Sequence, residues 1–174
     1  KKLGIDTGNW QTAIGAGELG AVDFAAVSLD LPDLAIHPNR MEFTGVLAQV
    51  DRPSSYPPGG AGGRLVVMTR AAAEEALPSL IGMGVNYRPG FDGHLPQQKI
   101  GVVTEAMIEG DDILIAGHLY AADFPEIAAN IRALKDRLGF SFEASRVLVR
   151  DVDDDPLEIT ALTFTGAAVL LKEK

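Results

Sequence analysis

The chain has 174 residues, enough for one domain with a substantial core, and its formal charge is −9. That balance argues against nucleic acid or an anionic membrane surface as the main partner, because few cations are present to displace counterions. No apolar run approaches the roughly 20 residues needed to span a bilayer, and the absence of cysteine removes disulfides, thiol nucleophiles and thiolate metal sites. This composition suits the cytoplasm, and the start at Lys1-Lys2 without methionine reads as trimmed.

Residues 1–40 are rich in Gly, Ala and Asp with weak periodicity, and read as an N-terminal arm or loosely packed strands. Within them GAGELG (15–20) matches G-x-G-x-x-G, but AVDFAAVSLD follows as strand or loop where a dinucleotide site needs a helix. From Met41 the pattern sharpens. MEFTGVLAQV (41–50) reads as a strand, closed by the Pro- and Gly-rich stretch 51–63. RLVVMT (64–69) is the next strand, and Thr69 can cap a short helix that ends before Pro78. Residues 99–121 read as two strands joined at Glu109-Gly110-Asp111-Asp112.

The clearest helix is predicted over 123–138, with Asp123 as N-cap, Pro125 in the first turn and Glu126 at capping-box spacing. Phe124, Ile127, Ile131, Leu134 and Leu138 form its apolar stripe. A strand over 140–150, the acidic turn DVDDDP (151–156) and a last strand over 157–171 complete the chain. DVDDDP lacks the glycine and distal glutamate of a calcium loop and reads as a solvated turn. About six to seven strands against two helices imply an α+β fold: a closed or nearly closed antiparallel β-barrel with peripheral helices.

Two positions carry chemistry. In LGFSFEAS (138–145) a two-residue period puts Phe140, Phe142 and Ala144 on one face and Ser141, Glu143 and Ser145 on the other. Ser141 is then either the wet side of a strand or a nucleophile fixed by its apolar neighbours. His94 lies in a turn-rich loop, YRPGFDGHLPQQKIG, where a base for a serine could be presented. His37 reads as a surface residue and His118 as a barrel-wall or core histidine. No spacing points to a metal site or a cofactor.

The order of these pieces resembles the prohead (capsid maturation) serine proteases of tailed bacteriophages, which are similar in fold to the herpesvirus assemblins. FTGVLAQVDRPS (43–54), HLPQQKIGVV (94–103), GDDILIAGHLY (110–120), LGFSFEA (138–144) and LEITALTFTGAAVL (157–170) carry the resemblance. It covers residues 41–171 and implies an assemblin-like protease domain over 41–174. Two features depart from the family pattern: Phe142-Glu143 stands where many members have Gly-Phe, and Gly166-Ala167 where the closing strand usually reaches Pro-Ala. These departures keep Ser145 in reserve as the nucleophile.

The resemblance implies that Ser141 attacks the scissile carbonyl and His94 acts as general base. Glu158 in the LEIT strand matches the third position, its other reading being an exposed strand glutamate. His118 precedes Ser141, whereas the second histidine of assemblins follows their serine. Backbone N–H groups in the Arg146 region are implied to stabilise the oxyanion, although Arg146 and Arg150 also read as surface cations. Scaffold and major capsid proteins are the implied substrates, together with the protease's own C-terminal extension, inside a prohead assembling in the host cytoplasm. A homodimer is expected by analogy with assemblins, with no cofactor, nucleic acid or membrane. The competing expectation is a catalytically inactive, scaffold-linked capsid assembly module.

Overall fold

A computed structural model of the chain describes residues 17–19, 22–23, 26–31 and 37–172. Nine strands and two α-helices appear among them. In chain order these are β1 (Gly17–Leu19), β2 (Val22–Asp23), β3 (Arg40–Gln49), β4 (Val66–Met68), α1 (Arg70–Ala76), β5 (Gly84–Asn86), β6 (Lys99–Glu109) and β7 (Asp112–Tyr120). They continue with α2 (Pro125–Leu134), β8 (Leu138–Val149) and β9 (Leu157–Leu171). All strands join one sheet in the order β1-β8-β9-β5-β6-β7-β3, with β2 also on β8 and β4 on β9. Most pairs are antiparallel, while β4 and β5 lie parallel to β9.

The sheet curls into a half-barrel that does not close fully, so of the expected closed or nearly closed barrel the closed form does not hold. Between β3 and β8, residues 27–30 take the open position. The Val27 N–H donates to the Phe140 carbonyl at 2.8 Å and the Phe140 N–H to Ser28 O at 3.1 Å. On the other side Ser28 N–H reaches Val46 O at 3.2 Å, and Asp30 bridges Thr44. This strip needs Gly45, because a Cβ there would lie 2.4 Å from Ser28 O and 2.9 Å from the Phe140 ring. Part of the stretch expected as an arm or loosely packed strands pairs with the sheet, through β1, β2 and residues 27–30.

Both helices form where the sequence places them, with different ends. The Thr69 hydroxyl accepts the Ala72 N–H and caps α1, which buries Ala72, Ala73 and Ala76 and gives way to a 3-10 turn at Leu77–Leu80 containing Pro78. For α2 the expected span of 123–138 shrinks to Pro125–Leu134, and Asp123 does not cap it. The Asp123 carboxylate instead accepts from the Asn39 side chain at 2.9 Å. The helix stops early because Leu138 belongs to β8, fully buried and paired with Leu171. A 3-10 turn at Lys135–Arg137 makes the change of direction.

The core is apolar and rich in aromatic pairs. Phe43 packs on Phe140 with ring centroids 4.8 Å apart, and Phe142 meets Phe164 edge-on at 5.1 Å. All four rings are essentially without exposed surface. The serine strand is therefore anchored from its apolar side by two aromatic contacts, one toward β3 and one toward β9.

Candidate active site

Alternation along β8 puts Ser141 and Glu143 on the face opposite the Phe140 and Phe142 rings. That face is covered as well: Ser141 is 0% exposed and Glu143 7%. The reading of Ser141 as the wet side of a strand does not hold. The next strand, β9, presents Ala168 to Ser141 and Gly166 to Glu143. Beyond it β5 places Asn86 beside Ala168. Directly paired residues on neighbouring strands share a face, so Ser141, Glu143, Gly166, Ala168 and Asn86 form one small-residue floor across three strands.

The loop between β5 and β6 lays His94 over this floor. His94 Nε2 lies 3.0 Å from Ser141 Oγ, and Nδ1 lies 2.9 Å from Glu143 Oε1. The two side chains of the His94–Glu143 pair are 7% and 10% exposed. An ionised carboxylate can only accept, so the ring proton is assigned to Nδ1, leaving the Nε2 lone pair to accept the Ser141 hydroxyl proton. Residues two apart on a strand are separated by about 6.6 Å, a gap that the imidazole and its two hydrogen bonds fill. A register shift between Glu143 and Ala144 marks the end of this stretch, the kind of bulge that re-aims side chains beside active sites.

The carboxylate is held on several sides. Asn86 Nδ2 donates to Glu143 Oε1 at 2.7 Å. The second oxygen faces Gly166, where an added Cβ would lie 2.7 Å from Glu143 Oε2 and 3.3 Å from Lys99 Nζ. Burial pushes the Glu143 carboxyl up. The hydrogen bond and charge of His94, the Lys99 ammonium and the Asn86 amide outweigh it and hold Glu143 below its ordinary value.

The structure thus brings Ser141 and His94 together and sets Glu143, not Glu158, on the second nitrogen of the ring. Glu158 lies on β9 opposite Val67 of β4, and Arg150 Nη2 contacts its carboxylate at 2.5 Å. The antiparallel register explains the separation. Ala168 pairs with Ser141, whereas Ile159, next to Glu158, pairs with Val149 at the far end of β8. Arg146 is exposed, with φ of 53°, and lies five residues beyond Ser141 on the same strand, about 16 Å along it at the usual rise. Ser145 pairs with Thr163 and has no imidazole beside it among the described residues.

His37 is exposed, as expected. His118 faces outward from β7, between Glu42 of β3 and Val102 of β6, with its ring on Tyr120 at 5.6 Å. Burial and the Arg40 charge hold its imidazole below the ordinary histidine value. Its strand is separated from β8 by three others in the sheet order. The sequence reading missed Asn86 altogether, because β5 is only three residues long. It also passed over Glu143 as a third member, although the Ser-x-Glu spacing on a strand was the available signal.

Comparison with protein-family models gives no match, and neither does comparison with curated protein sequences. Among solved structures, the capsid assembly protease of bacteriophage T4 superposes with a TM-score of 0.61. The match covers 89% of this chain and 99% of that one, at 15% sequence identity. The fold is that of a phage capsid assembly protease. In this fold the cluster of Ser141, His94 and Glu143 lies on the face of β8 opposite the Phe140 and Phe142 rings, covered by the loop between β5 and β6. Among the described residues, no helix is long and apolar enough to cross a membrane.

Proposed function

We propose that the chain is a serine endopeptidase that processes scaffold and major capsid proteins, and its own extension, during phage prohead maturation. The observation that carries this reading is the continuous contact from Ser141 Oγ through His94 to Glu143; the fold shared with a phage capsid assembly protease supplies the setting. In this reading Ser141 Oγ attacks the scissile carbonyl while its proton passes to His94 Nε2. The C–N bond then breaks and the leaving amine takes that proton, leaving an acyl group on Ser141. A water gives its proton to the same nitrogen, attacks the acyl carbon and releases the acid as the proton returns to Oγ. Glu143 keeps the ring in the required tautomer and stabilises the imidazolium formed at each step.

One observation favours the non-catalytic alternative: Ser141 has no exposed surface. In the protease reading the site opens in solution to admit an extended chain or a small probe. A fluorophosphonate probe separates the two readings. The protease reading expects one adduct, on Ser141, absent from Ser141→Ala and strongly reduced in His94→Ala. An inert assembly module gives no adduct at any protein concentration. The homodimer carried over from assemblins is read independently by light scattering.

A further inference from the structure

Asn86 is buried with 0% exposure, and both hydrogens and the oxygen of its side-chain amide are engaged. One Nδ2 hydrogen goes to Glu143 Oε1 at 2.7 Å and the other to the Ala167 carbonyl at 3.0 Å. Its Oδ1 accepts the Leu95 N–H at 2.9 Å. A buried polar side chain is costly unless satisfied, and the partners here are specific. They are the carboxylate that orients His94, the backbone of the residue after His94, and the strand that pairs with Ser141. A register shift against β6 falls between Val85 and Asn86, turning this side chain onto the site's floor while Val85 stays in the core.

We propose that Asn86 is a positioning residue that acts through Glu143 and His94, fixing the carboxylate's rotamer and the height of the His94 loop together. This rests on the protease reading of the site. The geometry is that of a clamp. The strand carrying Asn86 and the strand carrying Ser141 and Glu143 flank β9, and the amide reaches across β9 where Gly166 and Ala168 leave room. Without the amide, Glu143 Oε1 loses one of its two donors, and the loop loses the bond next to its catalytic ring. An asparagine meets this need where an aspartate does not, because the position must donate toward a carboxylate and accept from a backbone N–H at once. The charged and titratable groups facing Glu143 are His94 from the loop and Lys99 from β6.

The test joins two readouts. In Asn86→Asp the Leu95 bond survives but a second carboxylate faces Glu143, so the acid limb of fluorophosphonate labelling moves up by about one pH unit. In Asn86→Ala labelling slows by about 10- to 100-fold, as for a misplacement of about 1 Å. A role confined to anchoring the loop would leave the Asn86→Asp profile on the wild-type one, and that result overturns the proposal.

The second readout is proton NMR of the wild-type protein, which needs neither activity nor a folded variant. The Asn86 amide protons should be shifted downfield and slow to exchange, and should move as acid titrates Glu143. Amide protons that ignore that titration overturn the proposal. A wild-type protein that fails to label while its amide tracks Glu143 rejects the protease reading and leaves the clamp standing.

Discussion

Glu143 stands two residues beyond Ser141 on one face of β8, and the His94 ring bridges them, 3.0 Å from the hydroxyl and 2.9 Å from the carboxylate. In the proposed mechanism the nucleophile and the group that orients its base therefore share a single strand. Any movement of β8 carries both together, and Phe140 and Phe142 hold that strand from behind.

Replacing Glu143 by Gln keeps the shape but allows the wrong ring tautomer. Hydrolysis should fall by about three to four orders of magnitude, with His94 still in place. Glu158→Gln, which loses only a half-exposed contact with Arg150, should remain within about twofold of wild type, since exposed ion pairs contribute little. Initial rates on a capsid-derived peptide distinguish the two carboxylates directly.

Gly166→Ala tests the space behind the carboxylate. The new methyl would lie 2.7 Å from Glu143 Oε2, and since that atom ends a flexible side chain the fold should survive. The carboxylate must turn away, so the rate should drop by about two orders of magnitude while the thermal midpoint changes little. Parallel calorimetry and kinetics on the one variant check both halves.

The pH dependence of stability follows from Glu143. Its carboxyl is held below the ordinary value of 4.5 in the folded chain, so the unfolded chain binds its proton more readily. The resulting stabilisation is fully present above 4.5 and is lost as pH falls through the folded value. Denaturant titrations from neutral pH down to about pH 3 should show wild type losing its advantage over Glu143→Gln across that window.

Phe142→Ala removes a fully buried ring that meets Phe164. The expected cost is about 3–5 kcal/mol of folding stability, together with reduced labelling of Ser141, because the strand loses its anchor. Urea melts and probe labelling of the soluble fraction measure these separately.

Much of the architecture was legible because its elements are long and strongly patterned. Strand β7 alternates along its whole length and β9 along its first half, and α1 carries its own cap in Thr69. The end of α2 was not legible, since Leu138 fits a helical stripe and a buried strand equally well. Strand β5 was hidden by its length of three residues, and with it Asn86. The contact between Ser141 and His94 spans 47 positions in sequence, and no local pattern encodes such a distance. Glu143 was hidden differently. It was read as a departure from a family pattern, and only the covering loop makes its side of β8 an interior.

The most direct measurement is mass spectrometry of scaffold and major capsid proteins co-expressed with the wild-type chain, beside Ser141→Ala and His94→Ala. The account predicts discrete cleavage products with wild type and intact proteins with both variants. Cleavage that persists with Ser141→Ala, or intact proteins in the presence of wild type, would contradict it.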